Sequence, residues 1–289
     1  MVADLLTPTE LPSARLALIG APADIDGWVR HLRAATIPVL ADTAAQLEML
    51  RLNEDAMDAR TLADVIGADP LMTLKLFVHA GANRSRHATS DVETVTAALV
   101  MLGIGPFFRA FGPQPDVEAL LGDEPQALEG LRAVLRRAER ASRFALGFAV
   151  HRQDHDAAVI HEAALLHDFA EMLLWCHAPA LALTMRERQR ADPALRSSVV
   201  QRALLNVELP DLQRALMLAW HLPELLVRIT DRRQARHPSV LSVTLAIRVA
   251  RHTAQGWDNA ALPDDVRDIG QLLNLAPEPT LQLLRELDA

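Results

Sequence analysis

The pair of residues with the most chemical potential is His167-Asp168, inside the apolar stretch EAALLHDFAEMLLW (162–175). Imidazole and carboxylate are both ligands for divalent metals. Neighbouring residues on a helix point about 100° apart, so the two side chains could reach one ion. A hydrolytic metal needs three or more protein ligands and an open position for water. The pair would therefore need a second His and a second Asp from other helices. In a continuous helix from about Asp156 to Cys176, His161 lies above Asp168, seven residues away on the same face. The alternative is structural: a buried His–Asp hydrogen bond that orients two helices.

Other reactive residue types are scattered along the chain. HRQDHDAAVIH (151–161) holds His151, His155 and His161 with Asp154 and Asp156. His151 and His155 have the i, i+4 spacing of a helical metal pair, but they fall where one helix ends and the next begins, which reads as a solvated polar turn. Arg132, Arg136, Arg137, Arg140 and Arg143 form a stripe that could contact phosphate; with Glu129 and Glu139 interleaved, it reads as a solvated face. Arg232, Arg233 and Arg236 make a second basic patch, a possible surface for an acidic partner or a nucleotide. Gly103-Ile104-Gly105-Pro106 follows no strand and precedes no lysine, so it is no phosphate loop. Ser197-Ser198 and Cys176 have no base at a recognisable spacing.

Composition narrows the classes. The chain has 289 residues, half of them hydrophobic, and a net charge of −8. The acidic balance and the lack of a Lys/Arg-rich recognition helix argue against nucleic acid as a partner. Lys75 is the only lysine and Cys176 the only cysteine, so no intramolecular disulfide can form. The start, MVADLLTPTELPS, has no basic region followed by an apolar core, and no apolar run approaches the roughly 18 residues of a bilayer span. These features lead to the expectation of a soluble, cytoplasmic protein without a membrane partner.

The elements that must position these residues read as helices almost throughout. Tyrosine is absent and no stretch alternates with period two. Asp42, Asp58, Asp69 and Asp91 are expected N-caps, with Pro70 at the first helical position after Asp69; Gly67 and Gly103 are expected stops. A long amphipathic helix spans about Gln126–His151, and prolines at 179, 193, 210 and 223 separate the helices beyond. LSVTLAIRVARHTAQGW forms another long helix, and the final 262–287 stretch two short ones. Trp28, Trp175, Trp220 and Trp257 read as packing anchors.

Several stretches in this order resemble the HDOD family, the HD-related output domain of bacterial signalling proteins. They are LRAATIPVLADTAAQLEML from Leu32, TLADVIGADPLMTLKLFVHAGA, TVTAALVMLGIGPFFRAF, EAALLHDFAEMLL, and VVQRALLNVELPDLQRALMLAWHLPELLVRIT. The Asp69-Pro70 turn and Trp220–Pro223 are the most specific parts. The resemblance implies an all-α, degenerate HD-like fold over residues 31–233. Within it, residues 31–110 would form an N-terminal lobe and 125–233 an HD-like lobe. Residues 1–30 would be an N-terminal extension, and 234–289 a helical extension packed on the HD-like lobe.

The wider HD superfamily comprises metal-dependent phosphohydrolases that use a His on an earlier helix, the His-Asp pair, and a later Asp. Here the pair falls on His167 and Asp168. Arg137 stands at the earlier His, and the stretch near Ile247, where the later Asp should fall, has no carboxylate. The lysine that often follows the pair is absent (Phe169-Ala170-Glu171). So are the paired histidines of the cyclic-di-GMP phosphodiesterase branch, which would fall near 230–233. Two adjacent ligands cannot hold a catalytic divalent ion tightly, and Arg137 adds positive charge where a cation should sit, or could pair with Asp168. The expectation is a non-catalytic signalling module, without metal or cofactor, that binds other signalling proteins. The competing expectation is a divergent phosphohydrolase rebuilt from His161, His167, Asp168 and His221. The segments flanking 31–233 are too short for a receiver or a cyclase domain, so any input is expected in trans.

Overall fold

The computed structural model describes residues 18, 20–54, 57–83, 92–192, 194–229 and 232–289. These residues are helical, with one isolated parallel bridge, Val39 to Asp116, and no named strand among them. The first helices are α1 (Ile25–Ala34), α2 (Ala41–Arg51), α3 (Ala59–Gly67), α4 (Pro70–Ala82), α5 (Val95–Leu102), α6 (Ile104–Ala110) and α7 (Val117–Leu120). The second half holds α8 (Pro125–His151), α9 (Ala157–Leu165), α10 (Phe169–His177), α11 (Pro179–Ala191), α12 (Ser197–Leu205), α13 (Leu209–Ala219) and α14 (Glu224–Ile229). A short 3-10 turn, Arg232–Gln234, leads to α15 (Pro238–His252), α16 (Leu262–Leu273) and α17 (Pro277–Asp288).

Local chemistry explains many of the boundaries. Asp58 caps α3 by accepting from Thr61 N at 2.7 Å. Gly103 ends α5 with φ 82°, a left-handed conformation that glycine adopts without penalty. Pro179, Pro210 and Pro238 sit in the first turns of α11, α13 and α15, where a missing N–H costs nothing. Thr94 caps α5, accepting from Ala97 N at 3.1 Å; Asp91 and Pro193 lie outside the described residues.

Asp42 is not a cap. Helix α2 starts two residues earlier than a cap at Asp42 would set it, with Leu40 as N-cap and Asp42 in the first turn. Distant carboxylates take over the capping: Leu40 N donates to Asp69 Oδ2 at 2.8 Å and Ala41 N to Glu118 Oε2 at 3.1 Å. Asp69 is fully buried, and its other oxygen accepts from Leu71 N at 2.8 Å and Met72 N at 3.2 Å. One carboxylate thus holds the starts of two helices. Beside it, Lys75 Nζ donates to Ile37 O at 2.8 Å and to Gln114 Oε1.

Helix α8 is the central strut, 27 residues long. Helices α9, α10, α11, α15 and α17 pack on it. Trp175 packs its ring against Gly130, where any Cβ would overlap it. Helix α1 straddles the 30/31 boundary and packs on α13, with buried Trp28 donating from Nε1 to Leu205 O at 2.8 Å. The C-terminal helices are tied to α8. Arg140 grips Asp288 through two bonds of 2.7 Å and also donates to Thr253 Oγ1, while Gly147 lets Leu287 come close. Helices α15 and α16 are joined by Arg248 and His252, which both pair with buried Asp265 at 2.6 Å. No helix among the described residues is long and apolar enough to cross a membrane.

Candidate functional site

His167 and Asp168 do not lie within one helix. The expected helix from Asp156 to Cys176 is two, α9 and α10, and the pair sits in the break between them. With the break, the seven-residue register between His161 and Asp168 no longer applies. No proline or glycine causes it. Buried Gln213 of α13 reaches into the gap, donating from Nε2 to His167 O and accepting from Ala170 N at 3.3 Å. It thereby pairs backbone groups that the interruption frees.

The break presents Asp168 to α8. Arg137 donates to Asp168 Oδ2 from Nε at 3.0 Å and Nη2 at 2.9 Å, and from Nη2 to Glu171 Oε2 at 2.7 Å. His167 Nδ1 lies 3.1 Å from Asp168 Oδ1, a distance at which a proton on Nδ1 is donated to the carboxylate. Arg251 of α15 stands 3.8 Å from the same oxygen. The centre is mostly enclosed: the side chains of Arg137, Asp168 and Glu171 are 19%, 15% and 25% exposed.

Burial by itself pushes the Asp168 carboxyl up. The hydrogen bond and charge of His167, with the charges of Arg137 and Arg251, reverse that and hold it well below the usual carboxylate range. Glu171 is pushed up, chiefly by burial, with Arg137 opposing. Arg137 also loses solvation, but its two carboxylates outweigh this and hold it firmly charged.

These residues do not fit a hydrolytic divalent metal. Both oxygens of Asp168 are engaged by nitrogen donors, and an incoming cation would face the guanidiniums of Arg137 and Arg251 at short range. Ile247 is a buried apolar residue. Among the described residues, no three His, Cys, Asp or Glu side chains converge as a metal site would require. His161 lies on α9 and is partly buried, whereas exposed His221 lies in the turn after α13. His151 and His155 are exposed at the α8–α9 turn.

The arginine stripe divides. Arg132, Arg136 and Arg143 face solvent, with Arg136 paired to Glu129 at 2.8 Å, while Arg137 and Arg140 turn inward. Arg233 and Arg236 are exposed, and Arg232 opens the 3-10 turn. Three participants carry no signal in the pair itself: Gln213, Glu171 and Arg251. The last two were within reach of helical spacing. Glu171 is one turn beyond Asp168, and Arg251 one turn beyond Ile247, on the face where the later ligand was sought.

The fold is shared with solved structures. The MmoQ response regulator of Methylococcus capsulatus superposes with a TM-score of 0.63 at 21% identity, covering 86% of this chain and 97% of that one. A virulence factor (cj0248) of Campylobacter jejuni gives 0.61 at 18% identity, covering 91% and 95%. No curated protein matches the chain. The sequence model of the HDOD domain matches residues 37–236, from the segment before α2 to the basic patch before α15. With more than half of its length matched, and with the His-Asp pair lying inside that match, the chain belongs to the HDOD family.

Proposed function

We propose that this chain is a non-catalytic regulatory output module that acts in the bacterial cytoplasm by binding other signalling proteins. The observation that carries the reading is the seat of Arg137. Its guanidinium holds Asp168 through two nitrogens at 2.9 and 3.0 Å, on the side where a metal would have to approach. The centre then acts as an internal ion-pair lock between α8, α10 and α15 instead of a reaction site. Membership in a family of signalling output domains supports the regulatory role, and so does the naming of one fold relative as a response regulator. The exposed Arg233 and Arg236 offer a surface for an acidic partner.

The test is metal analysis of the purified chain followed by assay on bis-p-nitrophenyl phosphate with added Mn2+, Mg2+ or Zn2+. The expected result is neither stoichiometric metal nor turnover, together with recovery of a signalling protein by pull-down from the native host. Bound divalent metal with turnover that disappears in Asp168→Ala would overturn the reading in favour of a rebuilt phosphohydrolase.

A further inference from the structure

The ion-pair lock uses one edge of the His167 ring and leaves the other open. Nδ1 lies 3.1 Å from Asp168 Oδ1. With the proton on Nδ1, the lone pair sits on Nε2, at the opposite edge of the ring. Among the described residues no hydrogen bond engages Nε2, and it is not one of the enclosed polar atoms. The His167 side chain is 27% exposed, against 15% for Asp168. The carboxylate therefore stands behind the ring and the lone pair meets solvent. Arg137 fixes the other oxygen of Asp168 through two bonds, so the carboxylate sets both the tautomer and the orientation of the ring.

A cation stands beside this imidazole. Arg251 Nη2 is 3.8 Å from the Asp168 oxygen that faces His167, and the Arg251 side chain is 57% exposed. That contact is loose, so the guanidinium is able to swing toward an anion next to the ring. Arg137 is not, because Asp168 and Glu171 both hold it. The chain contains a second oriented imidazole for comparison. His252 Nδ1 lies 2.6 Å from Asp265 Oδ2, with 30% of its side chain exposed. Its nearby guanidinium, Arg248, is committed to Asp265 and Asp268 at 2.6 and 2.7 Å. Arg251, the neighbour of His252 on α15, points about 100° away from it, toward Asp168. His252 thus has the carboxylate without the spare cation.

We infer that His167 is a phosphoryl acceptor: Nε2 takes a phosphoryl group from a small donor, and Arg251 binds the oxygens of the transferred group. An imidazole oriented by a carboxylate is a nucleophile as well as a base, and a guanidinium fork matches phosphate oxygens. In the step, the Nε2 lone pair forms the new N–P bond. The bond from phosphorus to the leaving group breaks, and its electron pair departs with that group. With phosphoramidate the leaving group is ammonia; its nitrogen is already protonated in the donor, so the protein supplies no acid. The positive charge that the ring acquires lies against Asp168. Because the ring is mostly covered, a compact donor fits better than a nucleotide. The group is accepted and not turned over, so no catalytic cycle is implied.

The consequence follows from charge. A phosphoryl group beside Asp168 draws Arg251 away and loosens the tie between α15, beyond the HDOD match, and the start of α10 within it. The module then receives its input at the lock itself, and to that extent the inference rests on the regulatory reading above.

The test incubates the full chain with phosphoramidate in mildly alkaline buffer. Labelled histidines are mapped by mass spectrometry, and the ring isomer is identified by phosphorus NMR. His167 should be labelled at Nε2, faster than His252. It should also outpace the exposed His151, His155, His221 and His237 by about tenfold or more, the effect of one charge-assisted hydrogen bond on a rate. Arg251→Gln changes a mostly exposed side chain; it should slow labelling of His167 by about tenfold and leave the exposed histidines unchanged. Asp168→Asn should slow it as well and yield a mixture of ring isomers. If that variant fails to fold, Arg251→Gln decides. The inference is overturned if His167 is labelled no faster than the exposed histidines, if the product is the Nδ1 isomer, if His252 is preferred, or if Arg251→Gln leaves the rate unchanged. Each of those results leaves the non-catalytic reading standing, since that reading falls only to metal-dependent turnover.

Discussion

Arg137→Met is the most informative perturbation of the degenerate centre. Methionine keeps much of the arginine stem's packing and removes the charge. It leaves two carboxylates mostly enclosed, Asp168 just before α10 and Glu171 in its first turn. Removing one partner of a fully buried ion pair costs about 3–5 kcal/mol. Here the side chains retain 15–25% exposure, and His167 and Arg251 remain near Asp168, so the cost should fall to about 2–3 kcal/mol. The pH dependence has a definite sign. Asp168 is held below its ordinary value of 3.8, so it contributes stability above that value and loses it as pH falls. The deficit of Arg137→Met should therefore be largest near neutrality and narrow in acid. Urea unfolding, followed by tryptophan fluorescence, measures it. A cycle with Asp168→Asn should give a coupling of about 1–3 kcal/mol. A variant within about 0.5 kcal/mol of the parent, or a coupling of zero, would refute the ion-pair lock.

Asp69→Ala removes an acceptor for three buried or partly buried backbone N–H groups, and should cost about 2–4 kcal/mol, more than one exposed cap; an unchanged Tm would show that the double cap is idle. Glu162, whose two oxygens accept from Val95 N at the start of α5, is pushed up to about 8 by burial. A raised acid contributes stability that is complete below 4.5 and lost as pH rises through 8, so Tm should fall across that window, and Glu162→Gln should flatten the profile; identical profiles would contradict this. Gly81→Ala forces a Cβ against the Trp220 carbonyl and should destabilise by about 1–3 kcal/mol, measured by thermal unfolding. A neutral effect would mean that the turn can retreat freely.

The sequence alone determined the helical class and many of the helix boundaries. These depend on residue type and short spacing: Asp58 caps a residue three positions away, and Gly103 supplies its own positive φ. The tertiary structure decided what spans distance. The break that exposes Asp168 has no local breaker and is sustained by Gln213, more than forty residues away. Helix α2 starts at Ala41 instead of after Asp42 because Asp69 and Glu118 arrive from other helices to receive its first N–H groups. Arg132, Arg136, Arg137 and Arg140 look equivalent in the sequence; only packing on α10 and α17 turns 137 and 140 inward. The pairing of Arg137 with Asp168 crosses 31 residues, and the close approach at Gly81 requires α4 to meet the turn after α13. A periodic pattern fixes which face of a helix is apolar, but not which other helix arrives to cover it, and the chemistry of this site is made at those meetings.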